Sequence, residues 1–205
     1  MTTVPRVPTV FIVDDDEAVR NSLQLLLKSL GLPAVTHASA TEFIAAYAPE
    51  QPGCVILDVR MPGMSGIEMQ DELNRRGAVI PVIFITGHGD VPMAVEAMQQ
   101  GAFDFLQKPF HEQDLIDRVR RALANDLANR ARLDEIARIR AHVAALTPRE
   151  RQVLHLVTKG KPNKVIAGDL GLSQRTVEIH RAHLMQKMEA SSLAQLVRMT
   201  MIADG

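Results

Sequence analysis

Val10-Phe11-Ile12-Val13-Asp14-Asp15-Asp16-Glu17 and Val55-Ile56-Leu57-Asp58 are apolar runs that each end in carboxylates. A strand covered on both faces needs an apolar residue at every position, because successive side chains point to opposite sides. Two such runs predict buried strands of an α/β sheet. Carboxylates where strands stop lie where an open sheet of this kind keeps its chemistry.

Working outward, Val19, Leu23, Leu26, Leu27 and Leu30 recur at three- and four-residue steps on one helical face, and Gly31 follows as a C-cap. Ala34 to His37 reads as a second strand, and Ser39-Ala40-Thr41-Glu42 as a capping box opening a helix through Tyr47. Beyond Asp58, the Pro- and Gly-containing loop 60–66 precedes a helix from about Ile67 to Arg76, ended by Gly77. Pro81 to Ile85 is a fourth strand. Asp90 can cap a helix through Gln100, Gly101 stops it, Ala102 to Leu106 is a fifth strand, and a helix begins near Glu112. Five β/α alternations predict a doubly wound, flavodoxin-like parallel sheet of five strands over residues 1–123.

Four strand ends then converge, bringing Asp14/Asp15/Asp16, Asp58, Thr86-Gly87-His88-Gly89 and Lys108-Pro109 together. Carboxylates about 4 Å apart repel by roughly 4 kcal/mol per pair at an effective dielectric of 20, so a hard divalent cation, Mg²⁺ or Mn²⁺, is expected among them. One carboxylate can act as nucleophile towards a phosphoryl donor while a hydroxyl and an ammonium neutralise the phosphoryl oxygens. Asp58, Thr86 and Lys108 match those needs. Taken singly, an Asp triplet after a strand is more often a helix cap, and a lone Lys-Pro carries no meaning.

Together, Val-Asp-Asp-Asp, Leu-Asp-Val-Arg-Met-Pro-Gly-Met-Ser-Gly, Thr-Gly-His-Gly-Asp and Lys-Pro-Phe resemble the receiver domain of bacterial two-component response regulators, with separations of 43, 28 and 22 residues along Asp15, Asp58, Thr86 and Lys108. The resemblance implies that a sensor histidine kinase phosphorylates Asp58. It also implies that Asp15, Asp58 and the backbone carbonyl of Arg60 bind the cation, with Asp14 assisting through water. Thr86 and Lys108 would contact the phosphoryl group, and Phe105 would swing inward as Thr86 moves. An ordinary sheet residue is the competing reading of Phe105. The resemblance further implies a cis Lys108-Pro109 bond.

The single Cys54 rules out an internal disulfide and fits a reducing cytoplasm. No apolar run approaches the roughly 18 residues needed to span a bilayer, so no membrane role is expected. Net charge is −1, but residues 1–124 carry −6 and residues 125–205 carry +5. An acidic front joined to a basic back suggests that the back meets a polyanion. The helix from Glu112 uses Leu115, Ile116, Val119 and Leu123 as its inner stripe. Helical material continues through Val143 without Pro or Gly, giving a helical linker over 124–145 that reads as solvated, with a dimer-forming coil as the alternative.

Residues 146–205 form the second domain. Thr147-Pro148-Arg149-Glu150 combines an N-cap, a first-turn proline and a capping glutamate. A helix ended by Gly160, a short helix ended by Gly171 and a third capped by Ser173 make a helix-turn-helix, in which 173–188 is the recognition helix. On a wheel centred at Val177, Leu184 and Met188 share its face, and Arg175, Ile179, Ala182 and Gln186 lie opposite. Apolar groups on that outward face can meet thymine methyls, Arg or Gln can bond base edges, and Glu178 can accept from cytosine. An ordinary exposed face is the plainer reading. Lys159, Lys161, Lys164, Arg181 and Lys187 are candidate phosphate contacts, with Thr176 beside them. Leu193, Leu196, Val197 and Thr200 are expected to face inward from a last helix.

These segments resemble the four-helix DNA-binding domain of the LuxR/NarL class. Thr-Gly-His-Gly-Asp-Val-Pro-Met-Ala-Val-Glu-Ala-Met over 86–98, with Asn163-Lys164 and Arg175-Thr-Val-Glu-Ile-His-Arg-Ala, is similar to the rhizobial regulators of nitrogen-fixation genes. Gln107 departs from the acidic residue common there. The resemblance implies an oxygen-sensing haem kinase as partner, phosphorylation-driven homodimerisation around Val95, Gln99 and Asp104, binding to double-stranded promoter DNA, and activation through RNA polymerase. Two rival functions are a Mg²⁺-dependent phosphatase-like enzyme and a regulator that binds DNA regardless of phosphorylation.

Overall fold

A computed structural model describes residues 7–87 and 91–204. His88, Gly89 and the expected cap Asp90 lie outside the described residues. The chain forms two compact units that divide after Arg130.

In the first unit, β1 (Thr9–Val13), β2 (Ala34–His37), β3 (Gly53–Asp58), β4 (Val82–Thr86) and β5 (Asp104–Gln107) make one sheet in the order β2-β1-β3-β4-β5. Every pairing is parallel, and β1 and β3 run side by side with Val10 opposite Cys54 and Val13 opposite Leu57. The helices are α1 (Glu17–Ser29), α2 (Ala40–Ala46), α3 (Gly66–Arg75), α4 (Val91–Gln99) and α5 (Glu112–Ala144). Strand alternation divides the core into two layers. Phe11, Val13, Val55, Leu57 and Phe84 pack with Phe43, Met69 and Leu73 on one face. Val10, Ile12, Ile56, Ile83 and Ile85 pack with Leu23, Leu27, Leu115 and Val119 on the other. Burial on both sides explains why the central runs are apolar throughout.

The first three strands each hand the chain to a capped helix. Asp16 is the N-cap of α1 and accepts from the amides of Ala18 and Val19. Ser65 and Glu68 form a complete capping box at α3, which the sequence reading had not identified. At α2 the expected box is altered: Ser39 accepts from the Glu42 amide, but the Glu42 carboxylate reaches the amide of Ala38.

The stretch expected to be a solvated helical linker is helical, and it carries buried residues. α5 is one continuous helix of 33 residues. Asp126 on it is fully buried and accepts from the Gly53 amide at 2.8 Å and from Arg130 Nε at 2.8 Å, while Arg130 donates to the carbonyls of Pro49 and Gln51. Further along, Ile139 is buried in the core of the second unit. Buried contacts at both ends give the stretch a packed role.

The second unit adds α6 (Pro148–Thr158), α7 (Asn163–Leu170), α8 (Gln174–Lys187) and α9 (Leu193–Asp204). Val153, Leu154, Val157, Ile166, Val177, Leu184, Met188 and Leu196 form its core. Thr147 and Glu150 complete a capping box with Pro148 in the first turn, and Ser173 caps α8. Gly171 ends α7 in the left-handed region at φ 64, where a side chain would be strained. On α9 the inward stripe is Leu196 and Met199, while the expected Leu193 is exposed in the first turn.

Candidate phosphoacceptor and DNA-binding sites

At the carboxyl end of the sheet, β1 delivers Asp14 and β3 delivers Asp58, both buried. β4 ends at the buried Thr86, whose carbonyl accepts from the Lys108 amide at 2.7 Å. The peptide bond after Lys108 is cis. The Lys108 ammonium lies 3.0 Å from Asp14 Oδ2 and 2.9 Å from Asp58 Oδ1. The other carboxylate oxygens are also held, Asp58 Oδ2 by the Arg60 amide and Asp14 Oδ1 by the Asp16 amide. Arg20, which the sequence reading did not single out, donates to the Asp14 carbonyl at 2.7 Å.

Burial pushes the Asp58 carboxyl above the ordinary carboxylate range, against the opposing pull of Lys108 and the Arg60 amide. Burial also pulls Lys108 down, but its hydrogen bonds to Asp58 and Asp14 outweigh that and hold the ammonium above its ordinary value. The arrangement presents one nucleophilic oxygen donor set beside a fixed cation, which suits capture of an electrophilic phosphoryl group.

Among the described residues no group of three or more acidic, His or Cys side chains is placed to hold a metal ion. Asp15, expected to bind the cation with Asp58, has an exposed side chain, and Asp14 shares Lys108 with Asp58. The donor chemistry nevertheless fits a hard divalent cation. Two buried carboxylates outweigh one ammonium, and every donor offered, including the Asp15 carboxylate and the Arg60 carbonyl, is an oxygen.

Phe105 is half-buried and packs against the core layer that contains Phe84. Val95 and Gln99 are exposed on α4, with Met98 also exposed between them. Asp104 is engaged within its own unit, accepting from Arg121 at 2.7 Å and lying 3.4 Å from Arg118.

In the second unit, Arg175, Glu178, Ile179, Ala182 and Gln186 are exposed on α8, and Lys164 is exposed on α7. Ile179 is 45% exposed, an open apolar side chain among polar ones. Arg175 lies 3.6 Å from Glu178, and Thr176 shares a hydroxyl hydrogen bond with Ser173. Three of the expected phosphate contacts have polar partners within the unit. Lys187 pairs with Glu150 at 2.8 Å, Arg181 donates to Asn163 Oδ1 at 2.7 Å, and Lys161 pairs with Asp169. Spacing alone could not reveal these pairings, because every partner lies on a different segment.

Comparison with known proteins places each unit in a known family. Residues 10–120 match the response regulator receiver domain, and residues 144–200 match the luxR family of bacterial regulatory proteins. The chain is 50% identical over 200 residues to the transcriptional regulatory protein FixJ of Azorhizobium caulinodans, covering 98% of this chain and 95% of that protein. It is 47% identical to nodulation protein W of Bradyrhizobium diazoefficiens, covering 93% of this chain and 84% of that protein. Among solved structures it is similar to the response regulator StyR, with a TM-score of 0.87 at 46% identity, covering 95% of this chain and 98% of that one.

Proposed function

This chain belongs to the two-component response regulators, with a receiver domain joined to a luxR-family DNA-binding domain, and on that premise we propose that it is a transcription factor switched on by phosphorylation of Asp58. The observation that carries this reading is the Lys108 ammonium seated between Asp14 and Asp58 at the carboxyl end of a parallel sheet. An Asp58 carboxylate oxygen attacks the phosphorus of a phosphohistidine on a sensor kinase. The O–P bond forms as the P–N bond breaks, and the electron pair leaves with the imidazole nitrogen. Lys108 is positioned to neutralise the incoming oxygens, and the Thr86 hydroxyl is the second group assigned to them. Asp15, Asp58 and the Arg60 carbonyl, with Asp14 through water, would hold Mg²⁺ or Mn²⁺, whose charge would offset that of the phosphoryl group.

Phosphorylation adds about −1.5 to −2 charges at one strand end. Rearrangement of Thr86 and Phe105 around the new oxygens then favours a homodimer through the face of Val95, Gln99 and Asp104. The exposed Val95 and Met98 support that face. The dimer reads paired half-sites in promoter DNA with Arg175, Thr176, Glu178, Ile179, Ala182 and Gln186 of α8, and Lys164 contacts phosphate. Likeness to FixJ and nodulation protein W fits a role in nitrogen fixation, and with it go the expected activation of nitrogen-fixation or microaerobic genes, an oxygen-sensing kinase as partner, contact with RNA polymerase and a cytoplasmic setting. The described residues contain no helix long and apolar enough to cross a membrane.

Asp58→Asn tests the switch. Treatment with a small-molecule phosphodonor and Mg²⁺ should raise the intact mass of the wild-type chain, its dimer fraction and its DNA affinity together, and should change none of them in the variant. Equal dimerisation and affinity in both proteins would defeat the proposal.

A further inference from the structure

Two basic side chains of α8 are paired to residues of the second unit, although their charge first suggested contact with phosphates. We propose that Lys187 and Arg181 are positioning residues that clamp the recognition helix to α6 and α7, setting how its outward face enters DNA.

Their location on the helix supports this. At about 100° per residue from Val177, Arg181 falls near 40° on one side and Lys187 near 80° on the other, flanking the buried stripe of Val177, Leu184 and Met188. Arg175, Ile179, Ala182 and Gln186 fall within roughly 40° of the opposite pole. Each flank residue has its polar partner on a neighbouring helix. Arg181 Nη1 donates to Asn163 Oδ1 at 2.7 Å, at the first residue of α7, where the preceding Pro162 supplies no side-chain cap. Lys187 Nζ donates to Glu150 Oε2 at 2.8 Å, and the same oxygen accepts from the Thr147 amide at 2.8 Å. Glu150 is only 3% exposed, so its carboxylate depends on those partners. The Lys187 ammonium and the Thr147 amide hold that carboxyl well below the usual range, at about 2.

Both ends of the second bridge also suit their helices. Glu150 lies in the first turn of α6 and Lys187 in the last turn of α8, where the helix dipoles favour a negative and a positive charge respectively. The two bridges lie on opposite flanks, so together they oppose rotation of α8 about its own axis. Rotation would carry Ile179 and Arg175 off the bases while leaving the overall charge unchanged.

The inference rests on α8 being the helix that enters the groove, and the test separates the two ideas. The phosphodonor-treated full-length chain is first used to select a preferred duplex from a random 20-base-pair pool. Affinity is then measured for that duplex and a scrambled one across a salt series. Lys187→Met should weaken the selected duplex at least about fivefold, the loss of roughly one base contact, while barely changing the scrambled one and leaving the salt slope intact. Lys187→Arg should restore most of the discrimination. Glu150→Gln should reproduce the loss, although removal of a negative charge by itself favours DNA.

A fall in the salt slope of about 0.9 with discrimination kept would make Lys187 a phosphate contact and overturn the proposal. Unchanged affinity, slope and discrimination alongside a lowered melting point would overturn it too, leaving a purely structural pair. Where Lys187→Met lacks a cooperative unfolding transition, Arg181→Met, which leaves Glu150 paired, decides by the same readouts. Failure of the underlying reading has a different signature: Ile179→Ala and Arg175→Ala would leave discrimination untouched.

Discussion

Asp58 is 8% exposed, and burial raises its carboxyl above the ordinary range although Lys108 and the Arg60 amide both donate to it. A raised acid favours the folded state fully below its unfolded value of 3.8, and loses that contribution as pH rises through the folded value. At neutral pH the native receiver therefore carries a charge that the fold opposes. Asp58→Asn should raise the thermal midpoint of the receiver transition by a few degrees at pH 7, with the advantage shrinking as pH falls towards 3.8. A lower midpoint than wild type at pH 7 would mean that pairing with Lys108 outweighs burial. Such stored strain is common where a group is kept for chemistry.

At the scale of elements, the site depends on how closely α3 approaches the end of β3. A Cβ on Gly66 would collide with the Asp58 carbonyl oxygen and crowd Leu57 and Phe84. Gly66→Ala should cost about 1–3 kcal/mol in denaturant unfolding and slow phosphorylation, because the backbone carrying the acceptor must shift. A change below about 0.5 kcal/mol would show that α3 can give way. The amino end of β3 has its own fastening in Asp126 and Arg130 of α5. Arg130→Ala leaves a fully buried carboxylate with only the Gly53 amide as a donor among the described partners. A loss of about 3 kcal/mol and faster hydrogen exchange at Gly53 are expected. Unchanged exchange there would remove this fastening role.

For the whole molecule, the charge difference between the two parts and the pairing of two domains set the pattern of readouts. Ile179→Ala should change the preferred DNA sequence, since its apolar side chain is exposed among polar groups on α8. Lys164→Ala should weaken all duplexes similarly and lower the salt slope by about 0.9. Selection from a random duplex pool at several salt concentrations distinguishes the two. Equal losses on every sequence for both variants would remove the groove-face assignment.

From the sequence alone came the five β/α alternations, the helix-turn-helix and the convergence of Asp14, Asp58 and Lys108, because apolar periodicity, caps and strand-end carboxylates are local signals. Asp16 also proved local, as a cap. Only the tertiary structure decided that Asp14 shares Lys108 with Asp58, that Asp126 of the helical stretch is buried and accepts from the Gly53 amide, and that Lys187 and Arg181 pair within their own unit. Each of these depends on a partner many residues away. A charge's position along the chain shows that it needs a partner, but packing selects which one.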